Sequence, residues 1–188
     1  VALFCNVDID SVIESRDVST IYEVPILMHE EKLDEIVLRK LKIQAKQKPQ
    51  LKSWQDFLKK LKNPKKQVNI GLVGKYVELA DAYKSIIESF IHAGSVNECK
   101  VNVSLIHSET LTETVMIEKL SKLNGIVVAP GFGHRGIDGK IIAVKYAREN
   151  NISFLGICLG MQCAVIEFAR NVLGYQDAHS TEMSRTTE

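Results

Sequence analysis

The tightest constraint on this chain is the stretch Asn151–Gln162, NISFLGICLGMQ. Ile152, Phe154, Leu155 and Ile157 read as a short apolar strand, and Gly156-Ile157-Cys158-Leu159-Gly160 follows as a G-x-C-x-G turn into a helix. A side chain held at a sharp strand-to-helix turn sits on strained backbone, so the residues two positions to either side must be small. This spacing is the cysteine form of the nucleophile elbow. The sulfur would project from a strand tip over a helix N-terminus, where the dipole and unpaired N–H groups favour the thiolate. The Leu159 N–H would be left to bind an oxyanion. Cys163, one turn on, reads as an ordinary core thiol.

The elbow closes a longer alternation that starts at Gln67. Strands are expected at Val68–Val73, Lys100–Ile106, Gly125–Ala129 and Ile152–Ile157. Helices are expected at Asp81–Ala93, Thr110–Leu123, Ile141–Glu149 and Leu159–Leu173. Thr110 and Glu113 have capping-box spacing, and Gly94 and Gly174 stand where left-handed C-caps are wanted. Such alternation predicts an α/β fold, a doubly wound, mostly parallel sheet with helices on both faces. Ligands then bind beyond the carboxyl ends of the strands. That singles out the loops Gly74–Ala80, His107–Glu109 and Pro130–Gly139, with the elbow itself.

Before Gln67 the pattern is different. Val1–Val7 reads as a buried strand, Ser19–Pro25 as a loop and short extended piece, and His29–Ile43 as an amphipathic helix. A polar stretch with Pro49 reads as the start of a linker, and Ser53–Lys62 as a short helix capped by Ser53. The expected division is residues 1–44, a linker over 45–66, and a domain over 67–188.

Composition adds exclusions. A net charge of +1 gives no general case for nucleic acid. No apolar run approaches the roughly 18 residues of a membrane span. Four cysteines without C-x-x-C spacing suit a reducing, cytoplasmic setting.

A second loop, Ala129-Pro130-Gly131-Phe132-Gly133-His134-Arg135-Gly136, is dense in glycine and follows a strand. Glycines let backbone N–H groups approach a bound group closely, so this loop reads as a cradle opposite Cys158.

GICLGMQ with an upstream PGFG loop resembles the glutaminase domain of class I glutamine amidotransferases. Gly71–Ser85 (GLVGKYVELADAYKS), PGFGHRG, RENNISFLGICLGMQ, HSTEM, and the opening VALFCNV and RDVSTIYEVP are similar to the CTP synthase family over essentially the whole chain. The resemblance implies a flavodoxin-like amidotransferase domain, here incomplete, preceded by the tail of a second α/β domain, a synthetase. It implies amination of UTP to CTP with Mg-ATP, using ammonia from glutamine, activation by GTP, and a homotetramer. Cys158 would be the nucleophile, and Gly131 and Leu159 the oxyanion donors. Gly160, Met161, Gln162 and Glu182 would join Gly131 and Leu159 around glutamine. Arg16, Asp17 and Val18 would lie against ATP, and Lys75 and Phe132 would contact GTP. Magnesium ligands would lie outside this sequence.

The chain departs from the family pattern in places. Ala129-Pro130-Gly131 stands where many relatives have Pro-Gly-Gly, and proline cannot donate, so the oxyanion task falls to Gly131. No His-x-Glu follows Cys158; His29-Glu30-Glu31 and His107-Ser108-Glu109 lie upstream, out of family order. The expectation is therefore a piece of a longer enzyme, inactive or weakly active alone. Two competing readings are a cysteine peptidase of the same shape and a non-catalytic binding module with a relic elbow.

Overall fold

The structure is a computed structural model that describes residues 1–79 and 81–183; Ala80, in the loop after the first expected strand, and the last residues of the expected 67–188 domain lie outside it. The chain divides into two compact units, Val1–Asn63 and Pro64–Glu188.

The second unit is built on four parallel strands: β1 (Lys66–Gly74), β2 (Cys99–His107), β3 (Gly125–Val128) and β4 (Ser153–Gly156), in the order β2-β1-β3-β4. Register runs Val73↔Val128↔Gly156, so the strand ends that carry the informative loops lie at one level. Successive residues of a strand face opposite sides. Accordingly Ile126 and Val128 enter one core cluster with Val73, while Val127 and Ala129 enter a second with Leu72. On the second face Ile86, Ile87 and Phe90 come from α5 (Lys84–Val96). The first face is covered by α6 (Met116–Leu120), α7 (Ile137–Glu149) and α8 (Leu159–Asn171). This is the doubly wound α/β arrangement. Arg148 of α7 locks α8 in place: its Nε donates to both oxygens of Glu167 at 3.1 and 3.0 Å and its Nη2 donates at 2.7 Å, with the carboxylate fully buried. Such a forked pair fixes geometry more surely than it adds stability.

Several expected elements are corrected. The helix expected over Thr110–Leu123 is only Met116–Leu120. Thr110 Oγ1 donates to the His107 carbonyl and Thr112 pairs with Thr114, so these hydroxyls serve a turn instead of a cap. Gly94 lies buried inside α5, because a Cβ there would stand 2.5 Å from the Cys99 carbonyl; it is a packing glycine, not a C-cap. Gly174 does adopt positive φ, at 81°, just past α8.

The first unit is helical. Val1–Val7 contains the helix α1 (Ala2–Cys5), with no buried residue, where a buried strand was expected; among the described residues no strand lies beside it. The expected helix His29–Ile43 is two, α2 (Val24–Glu30) and α3 (Leu33–Leu41), broken where Lys32 turns to φ 60°. Pro25 occupies the first turn of α2, where a missing N–H costs nothing. The helix α4 (Lys52–Lys62) starts without a side-chain cap from Ser53. Trp54 of α4 donates its Nε1–H to the Tyr22 carbonyl at 2.8 Å, and Tyr22 meets Phe57 edge-on at 5.4 Å.

Candidate active site

The backbone at Cys158 has φ 52° and ψ −104°, a conformation that costs a non-glycine residue on the order of 1–3 kcal/mol. Its surroundings enforce the strain. A Cβ on Gly156 would stand 2.5 Å from the Gly160 backbone, and a Cβ on Gly160 would stand 2.1 Å from the Val128 carbonyl oxygen. That same oxygen accepts the Ile157 N–H at 3.0 Å, which ties the turn to the end of β3. The two elbow glycines are thus fixed by backbone-to-backbone contact. The thiol of Cys158 is exposed at the strand tip, and α8 begins at the next residue. The Leu159 N–H, first in the helix, has no intrahelical acceptor.

The glycine loop lies beside the elbow. The position a Cβ would take on Gly131 is 3.6 Å from Leu159 Cδ2, 3.3 Å from Lys75 Cε and 3.7 Å from Lys140 Nζ. The two expected oxyanion residues are therefore neighbours. The Phe132 ring stands out into solvent, whereas Lys75 is buried, with its ammonium hydrogen-bonded to the Phe132 carbonyl and 5.4 Å from the Tyr76 ring centre. Met161 is exposed and Gly160 buried. Gln162 Nε2 donates to Glu182 Oε2 at 2.9 Å, so the Ser180-Thr181-Glu182 segment folds back onto the elbow helix. Arg170 holds that segment by donating to the Ala178 carbonyl at 2.7 Å.

His107 does not reach the thiol. His107 ends β2, at the opposite side of the sheet from β4, three strand spacings or about 14 Å across. Its Nδ1 accepts the Glu109 N–H, and Glu109 pairs with Arg135. His29 belongs to the first unit, where it meets Asp34 at 3.0 Å. Arg16, Asp17 and Val18 lie in that unit too, lining a cavity of about 530 Å³ with Glu30, Gln55 and Lys59. No three metal-ligating side chains converge among the described residues.

Sequence reading missed Lys140. It is fully buried beneath the loop, with Nζ donating to the Ala129 carbonyl at 2.8 Å. Burial pulls its pKa down to about 8, opposed by the thiols Cys163 and Cys158. A signal existed: Lys140 falls on the stripe Ile137, Ile141, Val144 that α7 turns to the core.

The family model described as "Glutamine amidotransferase class-I" matches residues 78–188. The chain belongs to that family. A second model, "CTP synthase N-terminus", matches residues 1–43. Among curated relatives, proteins named CTP synthase from Cytophaga hutchinsonii and Flavobacterium johnsoniae are 66% and 63% identical over 100% and 99% of the chain. The chain spans about 35% of the length of each. A solved structure of the glutaminase domain of Trypanosoma brucei CTPS, with bound acivicin, is 40% identical, covering 64% of this chain and 47% of that one at a TM-score of 0.60. Amidotransferase membership accounts for the parallel sheet and its flanking helices.

Proposed function

We propose that this chain carries the glutaminase nucleophile of a CTP synthase, an enzyme that aminates UTP at the expense of ATP with ammonia cut from glutamine. The observation that carries the reading is the strained, exposed Cys158 with Gly131 and Leu159 side by side at the strand ends. The Cys158 thiolate attacks the side-chain carboxamide carbon of glutamine. Negative charge then develops on the amide oxygen, where the Gly131 and Leu159 N–H groups receive it. Collapse of the adduct expels ammonia, with a proton supplied to the leaving nitrogen, and leaves a glutamyl thioester that water cleaves to glutamate. Glu182 takes the substrate's α-ammonium group, and Gln162, already bonded to Glu182, orients that carboxylate.

A cysteine nucleophile also needs a general base; the family's His-x-Glu does not follow Cys158 in this sequence, and the chain spans only about 35% of its relatives' length. Arg16, Asp17 and Val18 present a cavity to the adenine of ATP, GTP meets the exposed Phe132 ring near Lys75, and magnesium serves the synthetase half through carboxylates outside this sequence. Relatives named CTP synthase over the whole chain support this assignment over a peptidase. The test uses the full-length protein that contains this chain. A diazo-ketone analogue of glutamine should label Cys158, and glutamine should protect it. Absence of labelling, or equal labelling by a peptide electrophile, refutes the reading.

A further inference from the structure

An oxyanion donor on glycine raises a physical difficulty. Glycine is the most conformationally free residue, and holding it in one orientation costs on the order of 1–2 kcal/mol of backbone entropy. Pro130 fixes its own φ, which leaves the ψ of Pro130 and both dihedrals of Gly131 to be held. The structure holds them from both ends. Lys140 Nζ grips the Ala129 carbonyl from below, and Lys75 Nζ grips the Phe132 carbonyl from the side. Both lysines are buried, and both touch the space a Gly131 side chain would fill.

We propose that Lys75 and Lys140 are paired positioning residues that fix the Gly131 amide toward Cys158 by anchoring the carbonyls on either side of the Pro130-Gly131 step. This rests on the glutaminase reading. The lysines touch no substrate; they act through the loop. Core packing alone does not call for them. A buried ammonium with a single carbonyl acceptor leaves most of its donor capacity unmet, so an apolar side chain of similar length would suit the core at least as well. Their presence therefore points to geometry at the cradle.

The test compares Lys140→Met, Lys75→Met and Lys75→Arg in the full-length protein containing this chain. The measurements are glutamine hydrolysis without GTP, thermal unfolding, and iodoacetamide alkylation of Cys158, which needs no oxyanion donor. The Met variants should melt at or above the wild-type temperature. Their glutaminase kcat should fall about 10- to 100-fold, with KM changing less than about 3-fold, because a displaced donor affects the transition state most. Limiting alkylation rates at high pH should stay within about 3-fold of wild type, and Lys75→Arg, which keeps a donor, should recover most of the activity. Unchanged kcat in folded Met variants overturns the proposal, as does an equal fall in alkylation, which would mean general damage to the elbow. If Lys140→Met does not fold, Lys75→Met alone decides. Wild-type protein that neither hydrolyses glutamine nor is labelled by the diazo-ketone sinks the glutaminase reading, and the proposal with it; labelled wild-type protein with unaffected variants sinks the proposal only.

Discussion

Cys158 and Cys163 lie little more than one helical turn apart, and the fold gives them opposite characters. Cys158 stands exposed on strained backbone at the tip of β4. Cys163 is fully buried on α8, and loss of water pushes its thiol up to about 11. A thiol that stays protonated at neutral pH is a poor nucleophile. The difference teaches that placement, not residue type, decides reactivity: the turn before α8 presents one sulfur to solvent, and α8 closes the core with the other.

The contrast can be broken by exchanging the partners. Cys158→Ser should abolish labelling by a diazo-ketone glutamine analogue, by about 10³-fold or more, while Cys163→Ser should leave it within about 2-fold. Peptide mapping of the labelled protein reads this, and label on Cys163 would reverse the assignment. Next in size is the elbow's steric frame. Gly160→Ala puts a Cβ against the Val128 carbonyl, where only backbone can yield, and should cost about 3 kcal/mol in a denaturant titration.

Titration of Cys163 sharpens the comparison further. In the unfolded chain this thiol ionises near 9, whereas in the fold it stays protonated to about 11. The unfolded state therefore holds fewer protons through that window, and stability falls as pH rises from about 9 to about 11. Lys140 acts in the opposite sense: its folded pKa of about 8 lies below its ordinary 10.5, so its contribution rises with pH across that interval. The difference between wild type and Cys163→Ala reports the thiol together with its coupling to Lys140. The variant should lose a decline of roughly 2 kcal/mol between the two ends of its window. The smallest effect expected is a gain: Cys158→Gly releases the positive-φ strain and should stabilise the fold by about 1 kcal/mol while removing the nucleophile. A fall in melting temperature on that substitution would mean the backbone at Cys158 is not strained.

Much of this site was legible because close backbone approach writes itself in glycine. Gly156 and Gly160 bracket Cys158 for steric reasons that sequence spacing expresses directly, and the alternating faces of Gly125–Val128 expressed the two-sided sheet. Lys140 was not legible as part of the site, since a lysine between Gly139 and Ile141 reads as solvated unless its helix phase is weighed. Thr110–Val115 misled because threonine hydroxyls serve turns as readily as caps. Val1–Val7 misled because an apolar run signals a strand only where a neighbouring strand is present to pair with, and among the described residues none is.

The aromatic cluster of α4 has a practical consequence. Trp54 is the only tryptophan in the chain and packs on Tyr22 and Phe57 within the first unit. Excited at the red edge of indole absorption, the protein therefore emits from that unit alone. A melt followed by fluorescence and one followed by far-ultraviolet dichroism, which the parallel sheet and its helices dominate, act as separate thermometers for the two units of one polypeptide.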